Sequence, residues 1–100
     1  MDSYLSEEIF EINSVAHALS RELTAKLAGS VQNSIDAGEY ASALEEAAYY
    51  VAVSGNPVPA GLVEQVEQLD HKYQAESTAY ALRVLLTPQG EEVEDLPTIE

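Results

Sequence analysis

Residues 40–59 read YASALEEAAYYVAVSGNPVP, and the class of the fold turns on them. Ala43, Leu44, Ala47, Ala48 and Val51 recur at the intervals of three and four that place one apolar stripe along an α-helix. Most are alanines, so a neighbouring helix can come close. Glu45 and Glu46 fall toward the other, polar side. The run stops at Gly55-Asn56-Pro57-Val58-Pro59, because both prolines lack an amide hydrogen and each biases its predecessor toward extended backbone. The expected helix runs from about Tyr40 to Ser54.

On the N-terminal side, Leu5, Ile9, Ile12, Ala16, Leu19 and Leu23 advance by alternating steps of four and three, one helical stripe. Ser3 or Ser6 can cap this helix, and Glu7, Glu8 and Glu11 sit near the positive end of its dipole. The stripe continues through Leu27, Val31 and Ile35, but Thr24 is a competent N-cap, so a break is expected near Leu23 and Thr24. Gly38 supplies the left-handed position that ends the second helix after Ala37.

On the C-terminal side, Pro59 suits the start of a helix whose buried stripe is Leu62, Val66, Leu69 and Tyr73. Glu64, Gln65, Glu67, Gln68 and Asp70 make its wet side. A last helix is expected from Ala75 to Leu86, with Ala79, Leu82, Val84, Leu85 and Leu86 as its apolar residues and Thr87-Pro88 as its stop. No period-2 alternation marks a strand. The expected fold is therefore all-α, a compact bundle of four or five short helices over residues 1–86. Residues 87–100 hold five acids, no base and two prolines, the composition of a flexible acidic tail.

The 100-residue chain has 18 acidic against 4 basic residues, a formal charge of −14. Such a chain has no basic face with which to neutralise phosphates, which argues against direct nucleic-acid or anionic-membrane binding. With no cysteine there is no disulfide framework, thiolate zinc site or redox motif. The longest uncharged run, 47–63, is broken by glycines and prolines and is too short for a bilayer span, and no basic n-region precedes an apolar run as an export signal requires. A soluble, cytoplasmic protein is the expectation.

Catalytic signatures are missing. His17 and His71 lie on expected helices with no nucleophile turn or cysteine nearby, and each reads as an ordinary surface or partly buried histidine. Carboxylate pairs are so numerous that any one pair carries little information. Neither a His-Glu-x-x-His run nor a calcium-loop pattern is present, and the glycines are too scattered to cradle a phosphate. No enzyme activity, metal or cofactor is expected. Six tyrosines are the compositional oddity, since tyrosine is enriched at interfaces. Adjacent Tyr49 and Tyr50 point about 100° apart on a helix, so at least one is expected to be exposed. Tyr40 and Tyr73 are assigned to the core.

Segment 37–45, with Gly38, Glu39, Tyr40 and the Ala43-Leu44 pair, resembles the turn of a tetratricopeptide helical hairpin, though no second copy exists to build a solenoid. The stretch from Ile35 to Leu69, about a third of the chain, also resembles the central part of small acidic MafI-type immunity proteins. The likeness lies in Gly38-Glu39, Tyr40, Ala43-Leu44-Glu45, the loop from Gly55 to Pro59 and the amphipathic run Leu62 to Leu69. It implies a non-enzymatic inhibitor that guards bacteria against a secreted toxin. Combined with the charge, it points to a basic protein partner, a toxin nuclease domain. The expected contact surface is Glu39, Glu45, Glu46, Tyr49, Tyr50, Glu64, Glu67 and Asp70. A helical adaptor or chaperone-like module and a nucleic-acid-mimic inhibitor are the alternatives.

Overall fold

A computed structural model of the chain describes residues 2–54 and 57–87, with side chains described from Glu7 onward. The expected acidic tail beyond Thr87 and the loop residues Gly55 and Asn56 lie outside the described residues, whereas Ser3 and Ser6, expected as caps, fall inside the first helix, which already begins at Asp2. Five helices follow one another: α1 (Asp2–Ser20), α2 (Ala25–Asp36), α3 (Tyr40–Ser54), α4 (Ala60–Tyr73) and α5 (Glu76–Leu86). The all-α class is thereby established.

The helix boundaries follow local chemistry. Thr24 caps α2, its hydroxyl accepting from the Leu27 amide, so the apolar stripe that runs through this point is cut into two helices. Gly38 takes a φ of +82° after α2 and lets the chain turn back into α3. Gln74 performs the same service after α4 at a φ of 51°, although its side chain gives no warning of it. Ala75 then precedes α5, and its amide donates to Thr78 Oγ1 at 3.1 Å. This is half of a capping box, since a methyl group cannot return the bond.

Helix α3 is the hub. It packs most extensively against α1 and α5 and also carries α2, while α4 closes the far side against α5 and α1. The order α1, α3, α5, α4 therefore forms a ring, with α2 resting on the α1–α3 pair. Helices α3 and α4, consecutive in the chain, stand at opposite corners. One continuous core draws on all five helices, with Ile12, Leu19, Val31, Leu44, Val66 and Val84 fully buried.

The expected stripes of α1, α3 and α4 are mostly buried, whereas on α2 only Val31 is buried, with Leu27 and Ile35 half-buried, and on α5 only Val84 and Leu85 of the expected set are buried. Ile9 is 36% exposed, whereas Ile12, Ala16 and Leu19 of the same stripe are fully buried. On α5, Ala79 and Leu86 face outward, and Ser77, Thr78 and Ala81 take the inner positions with Val84 and Leu85. The position of α5 between α3 and α4, packed on both, selects that face. Tyr40 and Tyr73 rest half-buried against the edge of the core.

The two left-handed positions respond to substitution with opposite signs. Gly38→Ala should cost about 1 kcal/mol in chemical denaturation, because a Cβ at positive φ is strained even though open space surrounds it. Gln74→Gly should gain up to about 1 kcal/mol by relieving that same strain.

Candidate functional site

The eight residues expected to form a contact surface are distributed over several places. Glu39 is exposed in the α2–α3 turn, and Glu64 and Glu67 are exposed on α4. Asp70 is half-buried, with the Thr78 hydroxyl 2.9 Å from its Oδ1, and serves the α4–α5 junction. Since α3 and α4 occupy opposite corners of the ring, the acidic face of α4 does not adjoin the α3 residues.

Glu45 and Glu46 were expected on a wet face, and both are half-buried instead. The reason is that α3 has neighbours on three sides, which leaves little of its circumference to water. Glu46 turns into the α2–α3 seam and accepts hydrogen bonds from Ser30 at 2.5 Å, Ser34 at 3.1 Å and Tyr50 at 3.0 Å. Three donors on one carboxylate make it an anchor for α2, with its acceptor capacity largely spent. Burial and the bond to Glu46 both push the Tyr50 phenol above its ordinary pKa.

Tyr49 and Tyr50 also depart from expectation: neither is exposed, and both are half-buried with ring centroids 6.2 Å apart at 60°. The 100° between them directs Tyr50 to α2 and leaves Tyr49 on the side of α5.

That second side holds a different chemistry. Glu45 shares a shallow open groove with Glu76, Ala79, Tyr80 and Arg83 of α5. Desolvation, reinforced by the charge of Glu76, raises the Glu45 carboxyl above the usual carboxylate range. The Tyr80 hydroxyl is buried without a hydrogen-bond partner, and burial followed by Tyr49 and Glu45 raises its pKa. Arg83 lies over the Tyr80 ring at 5.6 Å. Thus the α3–α5 seam joins two carboxylates that repel one another to two tyrosines. Glu76 and Tyr80 were not identified from sequence; the only available signal was the tyrosine count, because pairing of α3 with α5 is a tertiary fact.

A third polar group clasps α1 to α4. Glu11 accepts from Tyr73 at 2.9 Å and from Lys72 at 3.1 Å, and these two bonds, the tyrosine's first, hold its carboxyl below the usual range. Among the described residues no group of three His, Asp or Glu side chains is placed to hold a metal, and no helix is long and apolar enough to cross a membrane. No family model, curated protein or solved structure matches the chain.

The two glutamates of α3 should behave oppositely. Glu46→Ala should lower stability by about 2 kcal/mol and raise hydrogen exchange in α2, because it strands three donors. Glu45→Gln should raise stability at neutral pH. Its wild-type carboxyl has a raised folded-state pKa, so ionisation opposes folding above that pKa, and the advantage of glutamine should vanish as pH falls below the unfolded-state value. A denaturation series from pH 7 to about 3.5 measures both.

Proposed function

We propose that the protein is a non-enzymatic immunity protein that binds and neutralises a cationic toxin domain, with a nuclease domain as the partner class. The observation that carries this reading is the state of the carboxylates. Among the described residues, ion pairs engage Glu7 and Glu11, both with Lys72, while Glu39, Glu64, Glu67 and Glu76 are exposed and none of them has an ion-pair partner. A net charge of −14 that is largely uncompensated within the chain gives a strong attractive field for a basic surface. Nuclease domains carry such a surface where substrate phosphates sit, and an acidic protein placed there gains steered encounter and blocks access.

The α3–α5 seam is the part of this surface best suited to the centre of a contact. A lysine or arginine of the partner entering beside Glu45 and Glu76 relieves the repulsion that Arg83, stacked on Tyr80, leaves between them, and Tyr80 in the groove with Tyr49 next to it offers aromatic area of the kind that anchors interfaces. Glu39, Glu64 and Glu67 act at longer range, by steering. Glu46, Tyr50 and Asp70 contribute by holding the bundle together.

The test co-expresses the C-terminal domain encoded beside this gene with and without the protein and then measures binding kinetics. Toxicity should disappear on co-expression. Association should slow strongly as salt rises to about 0.5 M, where the Debye length is about 4 Å, with dissociation changing less. Charge reversal at Glu45 and Glu76 together should slow association at least about tenfold, and Tyr49→Ala should cost about 2 kcal/mol through faster dissociation. A harmless domain, or salt-independent association indifferent to these reversals, overturns the reading in favour of a helical adaptor.

A further inference from the structure

The outward side of α1 carries a pattern that the inhibitor reading does not use. Glu7, Phe10, Ser14 and His17 are all exposed, and Arg21 is exposed in the turn just beyond the helix end. Their spacing of three, four, three and four makes them one stripe. Phe10, the only phenylalanine of the chain, is 70% exposed, with Ile9 36% exposed beside it. An open groove lies on each side of Phe10. One, of about 340 Å³, is floored by Val15 and Leu69 toward α4; the other, of about 680 Å³, is lined by Asn13, Ser14, His17 and Arg21. The Asn13 Oδ1 on that second groove is buried with no hydrogen-bond partner.

The charges along the stripe are ordered. Glu7 stands at its N-terminal end with Glu8 and Glu11 beside it, and Arg21 stands at its C-terminal end with His17 one turn before it and Glu22 next in sequence. Glu7 stands seven residues before Ser14 and Arg21 seven after it, each about 10 Å along the axis at 1.5 Å per residue. A stripe with this symmetry is complementary to itself when reversed.

We propose that the stripe is an interface for a second copy of this chain, α1 packing antiparallel on α1 across a two-fold axis beside Ser14. Glu7 of each copy then meets Arg21 of the other, and each Phe10 enters the groove between Ser14 and His17 opposite. Ser14 at the crossing is small enough for close approach of the two helices. A parallel pairing is disfavoured because it stacks Glu7 on Glu7 and Arg21 on Arg21. An isologous contact of this kind leaves the α3–α5 seam of each copy free, so the dimer presents the acidic seam twice.

The experiment is sedimentation of the full chain from about 1 to 500 µM at moderate salt, the range in which a single helix pair is expected to associate. The chain should pass from monomer to dimer, and Phe10→Glu and Arg21→Glu should each weaken the dimer at least tenfold. The double variant Glu7→Arg with Arg21→Glu should restore it to within about threefold, since the exchange preserves the reversed pairing. Because the chain has no cysteine, single thiols report the register. Ser14→Cys should oxidise to a covalent dimer, whereas Glu7→Cys should not link to itself and should link to Arg21→Cys on mixing. All these positions are exposed, so far-ultraviolet circular dichroism should be unchanged. A monomer throughout the concentration range, self-linking of Glu7→Cys in preference to Ser14→Cys, or failure of the charge exchange to restore association overturns the proposal. Loss of toxin binding by Phe10→Glu in a chain that stays monomeric assigns the stripe to the toxin instead.

Discussion

Everything in this bundle is organised by the need to cover α3 on three sides. Its inward positions are Ala43, Leu44, Ala47, Ala48, Val51 and Ala52, four alanines among six residues, all buried. Alanine contributes little apolar area of its own, so α3 gains its stability from helix backbones that come close enough to bury area belonging to other residues, among them Ile12 and Leu19 of α1, Val31 of α2 and Val84 of α5. A bulkier α3 would push α1, α2 and α5 outward and open the core. The ring of α1, α3, α5 and α4 follows from that closeness, and so does the seating of α2 on its outside.

Closeness has an electrostatic consequence. A helix with three neighbours has no fully wet face, so the adjacent Glu45 and Glu46 must both enter seams. They meet unlike surroundings. Glu46 finds three hydroxyls, and its desolvation is offset inside the chain. Glu45 finds Glu76, and its desolvation is made worse. Two adjacent residues of identical chemistry are thereby sorted into a structural anchor and a receptive acid. The sorting depends on Ser30 and Ser34 of α2 on one side and Glu76 of α5 on the other.

The helix boundaries were legible because they are local. Thr24, Gly38 and the prolines around Val58 each act through their own backbone, and the apolar stripes fix which side of each helix turns inward. Which helix receives that side is a different kind of information. Periodicity gives phase and says nothing of neighbours, so a surface drawn across α3 and α4 on the strength of their adjacency in sequence was divided between opposite corners of the ring. The seam that replaces it needed the α3–α5 pairing, which joins residues more than 30 positions apart. Gln74 in a left-handed conformation was equally unreadable, because glutamine carries no preference for it. Phe10 stood on an exposed helix face where an apolar residue in a regular pattern would ordinarily be assigned inward.

Apart from the Glu46 anchor and the Glu11 clasp, the charge of this chain is therefore separable from folding. The core is apolar and continuous through all five helices, and the ion pairs among the described residues are exposed contacts of one lysine, a class that contributes little to stability. Charges that do not hold the fold together are free to be arranged for encounter. Their arrangement is patterned: Lys72, His17 and Arg21 border the exposed side of α1 together with Glu7 and Glu11, while Glu45, Glu76 and Arg83 line the α3–α5 seam. Helices α1 and α5 stand at opposite corners of the ring, so the outward side of α1 and the α3–α5 seam occupy different sides of the same bundle. The two proposed contacts, a second copy at the first and a basic partner at the second, therefore do not compete for the same surface.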